Sequence, residues 1–323
     1  MISWLFSKIS GFFVRVRYTS VEGGIRAYYK TTVVCKLTQL KYVWRDYVSK
    51  RPYKELDFSG EFAPELQFAL PFAYWHYKNG TLKSTVSSLH TKEMYFFSPQ
   101  HQEKHLTRTD QGNFNYEMPR VLYSQDYDLS KWEQVPLKVR FRNSVYVFDK
   151  PVVVVANRYN SEWDGAPVSY LGIDLLDFLF TQLKTRYTIL YNRPRPQNIT
   201  MDNSDVYDLN EIGWIKEMHP EVVLMDDLYK ENKANANNFN HFQFLVYANT
   251  DRFVSVHGGT ATLASYFGGI NIILSKRGPE HHFGCYEKLY PQFSGATILH
   301  ATTDEKVMEY VQRHYLNFEA PTL

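Results

Sequence analysis

The sequence predicts an α/β protein built on parallel sheets and divided into two domains. Three observations carry that expectation. At 323 residues the chain exceeds what one ordinary hydrophobic core serves, so two domains are the natural division. From Pro151 onward, apolar runs rich in valine, isoleucine and leucine alternate with amphipathic segments, the pattern of a parallel sheet covered on both faces. The stretch from Arg252 to Lys276 then reads as strand, glycine turn, helix, second glycine turn, strand.

That last stretch organises the rest. Phe253 to Val256 suit a buried parallel strand. Gly258 and Gly259 let the chain turn with φ > 0 and bring backbone close to a ligand. Thr260 and Thr262 are placed to cap the helix that follows, and its first N–H groups would face whatever sits over the turn, a place for a phosphate.

Composition narrows the function classes. Hydrophobic residues make up 44% and charged residues 22% of the chain, a globular balance and not a disordered one. A formal net charge of +2 leaves no footprint for nucleic acid and no acidic tail, so no nucleic-acid partner is expected. Cys35 and Cys285 form neither a metal-ligand nor a disulfide pattern, and a reduced, cytoplasmic setting is the simpler expectation. Asn79-Gly-Thr81 and Asn198-Ile-Thr200 match the glycosylation triplet, a coincidence common in chains of this length. No apolar run reaches the roughly 18 residues of a membrane-spanning helix. The segment from Ile2 to Tyr18 is apolar, with Lys8, Arg15 and Arg17 interspersed and no small-residue cleavage site. It reads as an N-terminal helix packed on the body, with a peripheral membrane contact through residues 1–18 as the second reading.

In chain order, Ala27 to Leu40 alternates like a strand and Leu40 to Val48 looks helical. Leu66, Ala69, Leu70, Ala73, Tyr74 and Tyr77 recur at helical spacing, Asn79-Gly80 ends that helix, Pro64 suits its first turn and Pro71 should kink it. Leu82 to Ser88 and Met94 to Phe97 read as strands. Residues 100–135 read as surface loops, whose His101, His105 and Asp110 lack metal-site spacing. A composition shift at Asp149-Lys150-Pro151 marks a boundary, giving domains 1–150 and 151–323. Beyond it the expected strands are Val152 to Ala156, Tyr187 to Tyr191, Val222 to Met225, the central strand, Ile272's strand and Thr297 to His300. The expected helices are Leu171 to Leu183, Glu211 to Met218, Phe239 to Ala248 and a last one capped by Thr303 and running to His314. Right-handed crossovers make this a Rossmann-like domain.

In such sheets ligands sit beyond the carboxyl ends of the strands. The loops there, 157–163, 192–196, 226–229, 257–262 and 276–282, bring Arg158, the turn at His257 to Thr260, Lys276, Arg277, Glu280, His281 and His282. Guanidinium groups and backbone N–H groups around one crevice would neutralise a diphosphate. No G-x-G-x-x-G turn follows the first strand of this domain, and no P-loop or G-x-S-x-G motif occurs, which weighs against nicotinamide, ATP and serine-hydrolase chemistry.

From residue 58 to residue 315 the chain resembles a GT-B glycosyltransferase. Val254-Ser-Val-His-Gly-Gly-Thr260 to Leu274 is similar to the donor-diphosphate segment of such enzymes. Gly60-Glu61-Phe-Ala-Pro-Glu65-Leu-Gln-Phe-Ala-Leu-Pro71 is similar to the glycine-plus-acid segment of heptosyltransferase-like members, departing from it by Glu in place of Asp and by the inserted Ala-Pro. The resemblance implies two facing Rossmann-like domains: an acceptor-side domain over 1–150 and a nucleotide-sugar domain over 151–323, the last helix returning to the first domain. It implies transfer of a sugar from a nucleotide-diphosphate donor to a glycan or other hydroxyl acceptor, inverting, with the nucleotide sugar as co-substrate and no further cofactor. Glu61, then Glu65, would be the catalytic base. Asn157, Arg158, His257, Gly258, Gly259, Thr260, Arg277 and Glu280 would bind the donor, with Asp226 at the nucleoside. Lacking an Asp-x-Asp motif at a strand end, the chain is expected to work without a metal. A nucleotide-sugar epimerase or hydrolase on the same architecture, and a non-catalytic sugar-binding protein, are the competing readings.

Overall fold

The computed structural model describes residues 2–120, 127–162, 165–194 and 205–317, with side chains from residue 8. The Asn198-Ile-Thr200 triplet lies outside them. The chain forms two compact units, Met1–Val135 with Pro279–Leu289, and Pro136–Gly278 with Tyr290–Leu323. The first division thus falls between Val135 and Pro136, upstream of the composition shift at Pro151, and a late segment belongs to the first unit.

The first unit opens with two helices, α1 (Ile2–Arg17) and α2 (Gly23–Gln39), which pack against each other. The strand expected over 27–40 is therefore a helix. Thr31, Val34, Cys35 and Thr38 are its buried residues at the i, i+3, i+4, i+7 spacing, and that packing overrides the local preference of a β-branched run. Helical turns continue through residue 49, where Lys50 ends them in the left-handed region at φ 47°.

A three-stranded parallel sheet follows, with order β1 (Lys54–Asp57), β2 (Leu82–Ser88), β3 (His101–His105). Between β1 and β2 run α3 (Phe62–Pro64), a widened helical turn over Glu65–Ala69, and α4 (Leu70–Lys78). Pro71 does not kink a long helix. It sits in the first turn of α4, directly after the widened turn, where its missing N–H is tolerated. The carbonyl that this N–H would have met, that of Gln67, accepts instead from the Trp132 indole N–H at 3.0 Å.

Two further expectations fail in this unit. Met94 to Phe97 is not a strand: Lys92–Tyr95 is a tight helical turn that buries Met94 and Tyr95 together. Conversely, the polar run His101–His105 is strand β3, at the sheet's edge and half-exposed on alternate residues, so it carries no hydrophobic signal.

The second unit is the doubly wound domain. Its elements are α5 (Leu137–Phe141), β4 (Val152–Ala156), α6 (Ile173–Leu183), β5 (Thr188–Asn192), α7 (Glu211–Met218), β6 (Val223–Leu224), α8 (Met225–Glu231), α9 (Phe239–Ala248), β7 (Arg252–Val256), α10 (Gly259–Ser265) and β8 (Ile270–Leu274). The chain then gives α11 (Pro279–Phe283) and α12 (Cys285–Lys288) to the first unit and returns for β9 (Thr297–Ala301) and α13 (Asp304–Val311). All six strands are parallel, in the order β6-β5-β4-β7-β8-β9. Counted within the unit this is third, second, first, fourth, fifth, sixth, so the order reverses between β4 and β7.

One face of this sheet buries Val153, Val155, Val254 and Val256 under the α6 stripe of Leu175, Leu176, Leu179, Phe180 and Leu183. On the other face the Tyr247 ring of α9 lies 5.3 Å from that of Phe253. The last helix starts as read, with the Thr303 hydroxyl accepting from Lys306 N at 3.2 Å. Through residue 317 it stays with the second unit. It packs on α6 and β8, and the Tyr315 hydroxyl donates to Phe253 O at 2.7 Å.

Candidate functional site

The reversal of strand order is where loops leave β4 and β7 in opposite directions and open a crevice at their carboxyl ends. Gly258 makes the bend after β7. Its φ of 83° and ψ of −145° lie in a region that only glycine adopts cheaply. A Cβ there would stand 2.7 Å from Arg158 Nη1, so the missing side chain is what lets the guanidinium lie over the bend. Gly258, Gly259 and Thr260 are half-exposed and not plugged. The threonines do not cap α10 as expected. The hydroxyl of Thr260 donates back to Val256 O at 2.5 Å and that of Thr262 to Gly258 O at 2.9 Å, the i−4 pattern, and no side chain caps the helix start. Because α10 has only seven residues, it offers first-turn amides and not a long helix's dipole.

Arg158 follows β4 directly. Its Nη1 donates to His257 O at 3.4 Å and its Nη2 to Ser161 O at 3.5 Å, both long contacts from a half-buried side chain. The residue before it, Asn157, turns its side chain into the fold. It is fully buried, its Oδ1 accepts from Arg158 N and Leu171 N, both at 2.9 Å, and its Nδ2 donates to Leu171 O and the Tyr191 hydroxyl. With every polar valence of its side chain spent inside the fold, Asn157 positions Arg158.

His257 is buried beneath the bend. Its Nδ1 lies 3.3 Å from Ser275 Oγ and its Nε2 lies 3.6 Å from Glu162 Oε1. Glu162 is buried as well. Its Oε1 accepts from Val168 N at 3.1 Å and Ser169 N at 2.6 Å, and its Oε2 faces Arg277 Nε at 3.7 Å. Sequence reasoning passed over Glu162 and Ser275, because only the crossing of β4, β7 and β8 loops brings them to His257. Arg158 thus overlies the bend, while Arg277 faces Glu162, a carboxylate whose charge is turned toward two amides and a guanidinium. Lys276 is directed elsewhere: its ammonium pairs with Asp304 at 2.8 Å.

Asp226 stands apart from the bend. It starts α8 after β6, three strands from β7, or about 14 Å at the usual strand spacing. There it lines a cleft of about 310 Å³ with Tyr191, Arg193, Ile212, Lys216, Leu224, Asp227 and Lys230. Its neighbour Asp227 is held by Lys216 and Lys230, each at 2.9 Å, and the Lys230 and Lys216 hydrogen bonds pull the Asp227 carboxyl below its usual range. A buried network backs the cleft. Arg193 pairs with Glu211, whose other oxygen accepts from the Tyr191 hydroxyl at 3.3 Å. Burial, then the Glu211 charge, pushes the Tyr191 phenol far up.

Glu280, grouped with Arg277 by sequence, belongs to the first unit, where it is buried in α11. Arg277 belongs to the second.

In the first unit, Gly60 and Glu61 follow β1. A Cβ on Gly60 would meet Asn113 Oδ1 at 2.5 Å, and one on Gly112 would meet Gly60 N at 2.4 Å, so two glycines bring two loops back to back. Asn113 grips Glu61 twice, accepting from its backbone N–H and donating to its Oε2, both at 2.9 Å. The carboxylate remains half-exposed. Arg108 donates to Gly60 O at 2.9 Å, and Arg120 donates to Asn113 O at 3.0 Å. The stretch read as surface loop is therefore what sets Glu61, and Gly112 was its one legible sign.

Glu65, the second choice of base, lies inside the fold. It is 0% exposed, ion-paired to Arg108 at 2.7 Å and bonded by the Tyr95 hydroxyl at 2.9 Å. A carboxylate so enclosed holds the widened turn in place and has no face for an acceptor hydroxyl.

No protein-family model, no curated protein and no solved structure matches this chain.

Proposed function

We propose that the chain is a glycosyltransferase that moves a sugar from a nucleoside-diphosphate donor to a hydroxyl acceptor with inversion. One observation carries the reading: a half-exposed glycine bend, uncapped by any side chain and overlain by the Arg158 guanidinium, at the reversal of strand order in a parallel sheet. In the proposal the Gly259 and Thr260 amides, Arg158 and Arg277 hold the diphosphate. The cleft at Asp226 takes the nucleoside, since a nucleoside diphosphate is long enough to reach across the intervening strands.

The chemistry follows from charge. The acceptor oxygen attacks the anomeric carbon as the bond to the diphosphate oxygen breaks, and negative charge builds on the leaving group. Guanidinium and amide donors already in place stabilise that charge without reorganising. The acceptor proton goes to a carboxylate, and the proposal gives this role to Glu61, whose orientation Asn113 fixes on both sides. Asn157 and Glu65 leave the set of substrate-contacting residues.

The test is a thermal-shift screen over nucleoside diphosphates and nucleotide sugars, followed by product analysis with the binding donor. A ligand that binds the native state raises the melting temperature. Acceptor-dependent release of nucleoside diphosphate supports transfer. Epimerised or hydrolysed sugar without acceptor supports the competing enzyme reading, and no shift with any donor refutes the proposal.

A further inference from the structure

We infer that the first unit docks on the surface of an anionic phospholipid bilayer through two exposed apolar helix stripes, one on α1 and one on the turns that extend α2. The inference stands independently of the transferase reading.

On α1, Ile9, Phe12, Phe13 and Val16 recur at i, i+3, i+4, i+7, and all are more than half exposed. Beyond α2, Leu40, Val43, Trp44, Tyr47 and Val48 repeat the same spacing over two turns, with Trp44 at 68% exposure and Leu40 at 66%. Single exposed apolar side chains need no explanation, but two complete helical stripes do. Ordinarily such a stripe faces the core. Among the described residues no helix is long and apolar enough to cross a membrane, so the stripes fit a helix lying in the interface and not one spanning it.

Charge selects the occupant. Residues 1–51 hold ten Lys and Arg (Lys8, Arg15, Arg17, Arg26, Lys30, Lys36, Lys41, Arg45, Lys50, Arg51) against Glu22 and Asp46, a net of +8. The whole chain is only +2, so everything after residue 51 is net −6. Of the two acids, Asp46 is buried against Lys131 and presents nothing at the surface. From elsewhere in the unit, Asp128 lies 3.8 Å from Lys36 and Glu117 lies 3.7 Å from Lys41, and the remaining eight cations still outnumber the acids. A basic rim around leucine, valine, tryptophan and tyrosine matches anionic headgroups over acyl chains, with the aromatic rings at headgroup level. A second copy of the chain would bring like charges together, and nucleic acid would leave the aliphatic residues of the stripes unused.

The experiment is cosedimentation of the full chain with phosphatidylcholine vesicles, with and without phosphatidylglycerol. Binding to the anionic vesicles alone, falling as salt rises, is the expected result. Leu40→Gln and Trp44→Gln should each lower the partition coefficient about tenfold by removing apolar area, and Arg51→Gln about fivefold by removing one interfacial cation. Phe12→Gln should act like the first pair. All four residues are exposed, so the melting temperature should stay within a degree or two of wild type, which separates lost docking from lost folding. Protein that remains in the supernatant with anionic vesicles at low salt overturns the inference. So does binding indifferent to Leu40→Gln and Trp44→Gln, or a wild-type dimer or oligonucleotide complex in place of vesicle binding.

Discussion

Replacing Arg158 with alanine probes the proposed donor site more sharply than any other single change. In the folded chain its contacts to the carbonyl oxygens of His257 and Ser161 are long, 3.4 and 3.5 Å, at the weak end of hydrogen bonding. Losing them should remove about 1 kcal/mol of stability or less, and Asn157, which shapes the loop, is untouched. A bound diphosphate would instead receive charge-assisted bonds from the same guanidinium, each in the range of about 1.5–3 kcal/mol. Arg158→Ala should therefore weaken nucleoside-diphosphate binding by roughly 10- to 150-fold while the unliganded protein melts within a few degrees of wild type. Arg158→Lys should fall between, keeping the charge and losing the fork. Isothermal titration with the best diphosphate from the screen measures the first quantity and calorimetric melting the second. Unchanged affinity in Arg158→Ala would refute the reasoning, and a collapse in melting temperature would make Arg158 a structural residue.

Further expectations concern the first unit. Glu65→Ala should destabilise by about 3–5 kcal/mol in denaturant titration, because it leaves the Arg108 guanidinium buried without its carboxylate; a loss under about 1 kcal/mol would return Glu65 to the list of accessible acids. Glu61→Gln should leave diphosphate affinity unchanged and lower turnover by about two or more orders of magnitude, as loss of a general base does. His76 is fully buried, and that burial, with Lys54 and Lys131 adding to it, holds its imidazole down to about 2 from an ordinary 6.5. The unfolded chain then binds a proton below pH 6.5 that the folded chain refuses. Stability is full above that pH and falls by about 1.4 kcal/mol per unit as pH drops toward the folded value. His76→Asn should flatten the acid limb by that slope relative to wild type, measured as ΔG against pH; parallel limbs would show that His76 titrates normally.

The second unit was legible because its strands are buried on both faces. Val152–Ala156 reads as a continuous apolar run, Phe253–Val256 is aromatic or β-branched at three of four positions, and α7 and α9 announce themselves by helical period. The first unit hid itself for two physical reasons. β3 is a polar edge strand, and α2 buries Thr31, Val34, Cys35 and Thr38 through packing within the unit, which no local alternation reveals. In the candidate site the glycines and arginines were visible, since bends and forks demand particular residues. What sequence cannot give is burial. Asn157 and Glu65 look like site residues until their polar atoms are seen to be satisfied inside the fold. Glu162 looks like loop filler until it is found under His257.

The central claim is that the Gly258 bend and Arg158 hold the diphosphate of an activated sugar. The most direct measurement is a crystal structure of the protein soaked with a nucleoside diphosphate. The account predicts the β-phosphate between the Arg158 guanidinium and the Gly259 and Thr260 amides, within hydrogen-bond reach of both. A diphosphate seated elsewhere, or a bend that stays empty at saturating ligand, would contradict it.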